Sequence, residues 1–425
     1  MNQNSLDLGI VKNDLIINDV KGTANSTSPE KRVKSVGDNT TQNRIDYEDV
    51  NHKTISSLYK NLQNTVGKFL KIGSEDYLLE LMIASAISTE LSKPIWLMIQ
   101  APSSSGKSEY LSLLASVNAI ELFDITGRTL FSAHSDSKGG VIPSQIKDKG
   151  ILVIPDFTTV LSASSNERKS IFNHLRIAYD GTASRIGGIS SNNTKPWRGK
   201  LSCIVGVTNA IESFKDKSSD LGERFIYYRH NAPELDYKEI SSYISLDSTK
   251  PKKEAGVSFR KLAKQGRKIV KLVKLNDNEE QYLFNCAELI SLFRTVIQRD
   301  NRSREIQEIH SPEKPFRLFK QLSNMLISLK AIDGLSDKRG YNILREITFS
   351  SLPEKRLKVF ELLSDTTYSE SSRIANQFKE NRNVIYRVLE DLEALELIEK
   401  QLNNANHQWK RTESANELYS KILVP

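Results

Sequence analysis

Five consecutive apolar residues, Ile95-Trp96-Leu97-Met98-Ile99, run through Gln100 into Ala101-Pro102-Ser103-Ser104-Ser105-Gly106-Lys107-Ser108, and a helical pattern resumes over Tyr110–Ala115. A short unbroken apolar run bounded by turn residues reads as a strand buried on both faces. When such a strand ends in a tight loop that opens a helix, backbone N–H groups converge on one point and can cradle phosphates. In this reading Ala101, Pro102, Ser103, Ser104 and Ser105 shape the loop and Gly106 lets the backbone approach the ligand. Lys107 then reaches the β- and γ-phosphates of ATP, and Ser108 ligates Mg2+. Ala101 replaces the usual first glycine, and a small residue still suits the turn.

Two more apolar runs end in polar residues. Ile151–Ile154 leads into Pro155-Asp156-Phe157, and after a helical stretch at Glu167–Tyr179 the run Leu201–Val207 leads into Thr208-Asn209. Strands alternating with helices predict an α/β fold around a parallel sheet covered on both faces. A P-loop ATPase needs a carboxylate at the second strand for the metal and usually another to activate water. Only Asp156 is offered. If four apolar residues precede the motif, Asp156 takes the base position; if Pro155 belongs to the strand, Asp156 is the metal-side acid and Phe157 replaces the base. Asn209 would lie beside the γ-phosphate and orient the attacking water. The plainer readings are a strand-end turn or cap for Asp156 and an ordinary turn for Thr208-Asn209.

Composition sets the frame for the rest. Across 425 residues, 38% hydrophobic and 26% charged content fits a globular chain. No apolar run approaches the roughly 18–20 residues of a membrane span, and with no apolar leader the expected location is cytoplasmic, with no membrane partner. Cys203 and Cys286 are too few and too far apart for a disulfide framework or a zinc site. The net charge of +8 hints at an anionic partner. Nine basic residues against the single acid Glu254 fall between Pro251 and Lys274, which reads either as a solvated helix face or as a polyanion contact. The chain divides into a polar, mostly disordered segment 1–50 and a helical extension 51–74. An ATPase core 75–250, a basic linker with a helical lid 251–350 and a small C-terminal domain 351–425 follow. The helix at Tyr77–Leu91 is expected to carry one apolar stripe, and residues 280–348 are expected to be helical throughout.

The ordered series resembles the AAA+ ATPases, and among them the minichromosome-maintenance-like helicases and replication initiators of bacterial mobile elements. The likeness covers roughly residues 75–348. That family has a helix and then a DNA-gripping hairpin ahead of the third motif strand. Here the counterpart is Ile171–Gly181 followed by Arg185–Lys200, with Gly187, Gly188, Asn192 and Asn193 as turn formers. Arg185, Lys195, Trp197, Arg198 and Lys200 would then grip single-stranded DNA, cations on phosphates and the ring on a base. Leu221-Gly222-Glu223-Arg224-Phe225 resembles the arginine-finger segment, so Arg224 would act in a neighbouring subunit of a ring, commonly a hexamer. Pro315–Leu322 resembles the segment bearing a second sensor, making Arg317 a nucleotide contact. The chain departs from the family in its incomplete acids and its short polar region ahead of the core, which puts processive unwinding in doubt.

Beyond residue 351, helical patterns at Arg356–Leu363, Ser371–Gln377 and Val384–Leu395 precede two strands, Leu397–Gln401 and His407–Thr412. This order resembles a winged helix-turn-helix. Asn381, Arg382, Asn383 and Arg387 would meet duplex DNA in the major groove, with Lys410 and Arg411 on the wing. Such modules also dock proteins, and Glu390, Asp391, Glu393 and Glu396 dilute the positive face.

Overall fold

The apolar runs become the middle of a five-stranded, all-parallel sheet. Among the described residues seven strands precede residue 230: β1 (Trp96–Gln100), β2 (Ile120–Glu121), β3 (Lys149–Ile154), β4 (Thr182–Ala183), β5 (Trp197–Arg198), β6 (Lys200–Val207) and β7 (Ile226–Arg229). The large sheet has the order β2-β3-β6-β1-β7, while β4 and β5 pair with each other as an antiparallel two-stranded ribbon. The computed structural model describes residues 52–132, 139–183, 197–209, 211, 224–300, 302–332, 335, 337–403 and 406–423. The N-terminal segment 1–50, the hairpin tip with Arg185, Lys195 and its glycine and asparagine turn formers, and Leu221–Glu223 lie outside the described residues.

The two-residue period of a strand explains the double core. Leu97, Ile99, Ile151, Val153, Ile204 and Ile226 face one apolar cluster, shared with the helices Leu78–Ser88, Thr249–Ile269 and Phe316–Lys330. Trp96, Met98, Leu152, Ile154, Cys203 and Val205 face the other, against the helix Ser165–Asp180. Both faces are therefore apolar, which is why these strands read as unbroken runs.

Two expectations need correction. The helix Leu78–Ser88 is buried along its whole length, Glu80 included, instead of carrying one apolar stripe. It lies beneath the long helices that cover the sheet, and Glu80 Oε1 accepts there from Arg339 Nε at 2.6 Å and Tyr59 Oη at 2.5 Å. Residues 280–348 are not helical throughout. Helix Asp277–Arg294 gives way to an antiparallel hairpin, β8 (Ile297–Arg299) with β9 (Ile306–Ile309), before Phe316–Lys330 and Asp337–Ser351.

The C-terminal segment folds as helices Glu354–Leu362, Ser371–Phe378 and Arg382–Ala394 with a small antiparallel sheet. Its strands β10 (Ser369–Glu370), β11 (Ile398–Asn403) and β12 (Asn406–Arg411) have the order β10-β12-β11 around the fully buried Trp409. A final helix, Glu413–Leu423, has no counterpart in the sequence reading. Arg299 Nη2 lies 2.6 Å from Asp391 Oδ1 and Arg356 Nη2 lies 3.3 Å from Asp391 Oδ2, so one carboxylate ties this segment to the preceding hairpin. No described helix is long and apolar enough to cross a membrane.

Candidate functional site

At the C-terminal end of β1 the chain enters the Ser-rich loop. Ala101 is fully buried, its N–H donating to Val207 O at 3.1 Å, and its φ is not positive, so a methyl group is tolerated where glycine is usual. Gly106 is the N-cap of the helix Lys107–Ser112 at φ +79°, a left-handed conformation that favours glycine. A side chain there would also meet Leu70 Cδ1 at 2.8 Å. Ser104, at φ 61°, holds the left-handed region without glycine's freedom, a strain of about 1 kcal/mol or more. The Ser105 hydroxyl is buried with no hydrogen-bond partner.

Lys107 folds back so that Nζ donates to Val207 O at 3.1 Å. Burial lowers its ammonium below the ordinary lysine value, and the charge of Asp156 opposes that shift. These contacts bring together the ends of three strands. Because β6 lies between β1 and β3, Val207, Thr208 and Asn209 stand between the loop and Asp156. Gly206 makes the approach close: a Cβ there would lie 2.3 Å from Pro155 O and 3.3 Å from Lys107 Cδ.

Asp156 is exposed just past β3, and its Oδ1 accepts from Thr158 N at 3.1 Å, so the turn-capping role is real. Phe157 is fully buried, stacked on Phe172, with its N–H on Gly206 O at 2.7 Å. Neither Pro155 nor Phe157 supplies a second acid. Asn209 is exposed, and its Oδ1 lies 3.4 Å from Gln100 Nε2.

The sequence reading missed a buried support beneath the loop. His230, directly after β7, places Nε2 3.0 Å from Ser105 O and Nδ1 3.5 Å from Asp76 Oδ1. Asp76 also accepts from Tyr110 Oη at 2.5 Å and from Leu78 N at 3.0 Å. Both Asp76 and His230 are 2% exposed. Beside the loop, and touching it through Leu70, an open cavity of about 600 Å3 is lined by Tyr59, Gln63, Gly73, Tyr243 and Arg339 among others.

Arg224 and Arg317 lie at the opposite end of the sheet. Register pairs Gln100 with Arg229 but Leu97 with Ile226, so Arg224, ahead of β7, is beside the start of β1. Its guanidinium is 5.5 Å from the Tyr179 ring and only 7% of the residue is exposed. Burial lowers its pKa and the nearby charge of Arg317 lowers it further. Arg317 is exposed and ion-paired with Glu313. Neither arginine is near this chain's own loop.

The β4–β5 pairing, Thr182 with Arg198 and Ala183 with Trp197, forms the base of a hairpin at that same end. Arg198 and Lys200 are exposed. Trp197 is a correction to the expected base-stacking residue: it is 6% exposed, packed on Phe131 at 5.6 Å, and its indole N–H donates to Lys147 O at 2.5 Å. Alternation along β5 sends the indole inward when Arg198 points out.

In the C-terminal segment Asn381 caps the helix Arg382–Ala394, accepting from Asn383 N at 2.8 Å, and Arg382, Asn383 and Arg387 are exposed at its start. Arg387 borders an open groove shared with Arg304. Glu390 and Asp391 are turned onto Arg299 rather than toward that face. Lys410 is paired with Glu399 at 3.0 Å. Arg411 is a further correction, because its guanidinium donates to Phe360 O and Glu361 O at 2.9 Å and stacks on the Phe360 ring at 4.7 Å, which leaves it holding the fold together. Comparison with known proteins adds no relative: no family model matches the chain, and no curated protein matches it significantly.

Proposed function

We propose that this chain is an ATP-hydrolysing P-loop motor of the AAA+ kind, resembling the MCM-like helicases and replication initiators of mobile elements, and that it works on DNA as a ring, commonly a hexamer in that family. The observation that carries the reading is the meeting of three strand ends, with Lys107 on Val207 O, Asp156 acting on the Lys107 charge and Asn209 between. Gly106, the unpartnered Ser105 hydroxyl and the helix start behind them suit a triphosphate. The cavity beside Leu70 is of a size to take the nucleoside.

A divalent cation fits the donor set. The Ser108 hydroxyl and the Asp156 carboxylate are exposed hard oxygens. Among the described residues there is no cluster of three His, Cys, Asp or Glu side chains. That matches the habit of Mg2+, which takes one or two protein oxygens and completes its shell with phosphate and water. When bound, the ion neutralises phosphate charge. With the nucleotide bound, Lys107 would exchange Val207 O for the phosphates and Asn209 would orient the water, with Asp156 acting either on the metal or as the base. Arg224 and Arg317 are both remote from this chain's own loop, which suits the reading of Arg224 as a trans contact; at 7% exposure it would have to leave the Tyr179 ring to reach a neighbour's site, while Arg317 is already exposed. Arg198 and Lys200 at the hairpin base, with Arg382 and Arg387 on a C-terminal module read as a winged helix, are the DNA-facing cations.

One observation favours a second reading, an ATP-switched DNA-binding regulator or loader with little turnover: Phe157 fills the core where a second acid would stand. A protein remodeller is the third, and with Trp197 buried the hairpin's described cations alone speak for nucleic acid over polypeptide. An ATPase assay with and without single-stranded DNA, paired with strand displacement on a forked duplex, separates these. Stimulated turnover with displacement supports the motor, binding without turnover supports the switch, and retained ATP affinity in Lys107→Ala would refute both.

A further inference from the structure

The helix Thr249–Ile269 buries Ala255, Phe259, Leu262, Ala263, Gly266 and Ile269 against the sheet and the helices beside it. At about 100° per residue, Lys253, Arg260, Lys261, Lys264 and Lys268 fall within roughly 100° of arc on the opposite side. All five are exposed. They extend along about 22 Å of the helix. Three of the other four cations of the run are engaged: Lys252 with Glu109 at 2.8 Å, Arg267 with Ala86 O at 2.9 Å and Lys271 with Glu90 at 3.5 Å, while Lys274 lies exposed beyond the helix. Glu254, the one acid, pairs with Lys68. Among the described residues none of the five stripe cations has an ion-pair partner.

Like charges at i,i+4, as in Arg260, Lys264 and Lys268, disfavour a helix. Other exposed helices of this chain pair such positions, as Glu354 with Lys358 and Glu417 with Lys421. Here the repulsion is left standing, which points to a polyanion that relieves it. The apolar face is locked in the core, so the helix cannot lie in a membrane interface as an amphipathic anchor does. The only large apolar side chain exposed within the helix is Val257, and no ring accompanies it. Without a stacking platform a single strand gains little, whereas a straight row of cations suits a rigid backbone of phosphates.

We propose that this stripe binds the phosphate backbone of double-stranded DNA independently of sequence. This surface is separate from the phosphate loop, the hairpin and the C-terminal helix, and it holds even if the chain hydrolyses nothing. The test uses the full chain and a fluorescein-labelled random-sequence duplex, with anisotropy titrations over a salt series. Each phosphate contact adds about −0.9 to the slope of log K against log salt. Arg260→Gln with Lys264→Gln and Lys268→Gln should make the slope shallower by about 2–3 and weaken binding at low salt about tenfold or more. The charge-keeping set Arg260→Lys, Lys264→Arg and Lys268→Arg should bind as the wild type does. Lys253→Gln with Lys261→Gln supplies an independent pair from the same stripe should the triple variant lose its helicity. An unchanged slope in the glutamine variants overturns the proposal. So does tighter binding of an equal-length single strand through these residues, or equally good competition by poly-glutamate.

Discussion

His230 holds the Ser-rich loop from behind, its Nε2 3.0 Å from the Ser105 carbonyl oxygen although the two residues are 125 positions apart. The ring nitrogen must carry the proton to donate there, and Nδ1 then faces Asp76. A donor lost at this point costs about 0.5–1.5 kcal/mol. His230→Ala should therefore weaken ATP binding by about tenfold, read by titration with a fluorescent nucleotide, while His230→Gln, which keeps a donor, recovers much of it. Equal affinities in all three proteins would remove His230 from the support of the loop.

Gly206 lies between the acidic strand end and the lysine. A methyl group there would lie 2.3 Å from Pro155 O, which forces backbone to move. Gly206→Ala is expected to displace Pro155 and Lys107 together, cutting ATP affinity by tenfold or more. An unchanged isotherm would mean that this contact does not govern the site.

Burial holds Lys107 below its ordinary value of 10.5, against the pull of Asp156. Between that lowered value and 10.5 the unfolded chain binds more protons than the folded one, so the stability contributed by this group rises with pH across the window. A bound triphosphate favours the ammonium, so ATP affinity should fall as pH rises through the same range. Titrations at stepped alkaline pH measure this, and an affinity that stays flat there would take Lys107 off the phosphates.

Trp197 and Arg198 are neighbours with opposite tasks. Trp197→Ala removes a core indole and should lower stability by about 3–5 kcal/mol in chemical unfolding. Arg198→Ala with Lys200→Ala should leave stability nearly untouched and reduce stimulation of ATPase activity by single-stranded DNA. If stimulation survives intact, the hairpin base is not a DNA contact.

The strands were legible because both sheet faces are covered, so β1, β3 and β6 appear as continuous apolar runs. The loop was legible because its spacing is local. The β8–β9 hairpin was not, since its residues are largely exposed and polar, such as Gln298, Gln307 and Glu308, and carry no apolar alternation. Trp197 was misjudged because its sequence neighbours are basic, and only strand pairing decides which way an indole points. Asp76 and His230 gave no signal at all: each is an isolated residue whose meaning comes from a partner supplied by a distant strand.

The eight residues of β6 have one further consequence. This strand starts beside the Arg198 ribbon and finishes at the carbonyl that Lys107 grasps, spanning about 26 Å as a single stiff rod clamped between two parallel neighbours. Val207 O at one tip accepts from both Lys107 Nζ and Ala101 N, so drawing the ammonium away leaves that tip tied to the loop through backbone. The loop and the Arg198 ribbon are thereby joined through one stretch of backbone, with no relay of side chains in between.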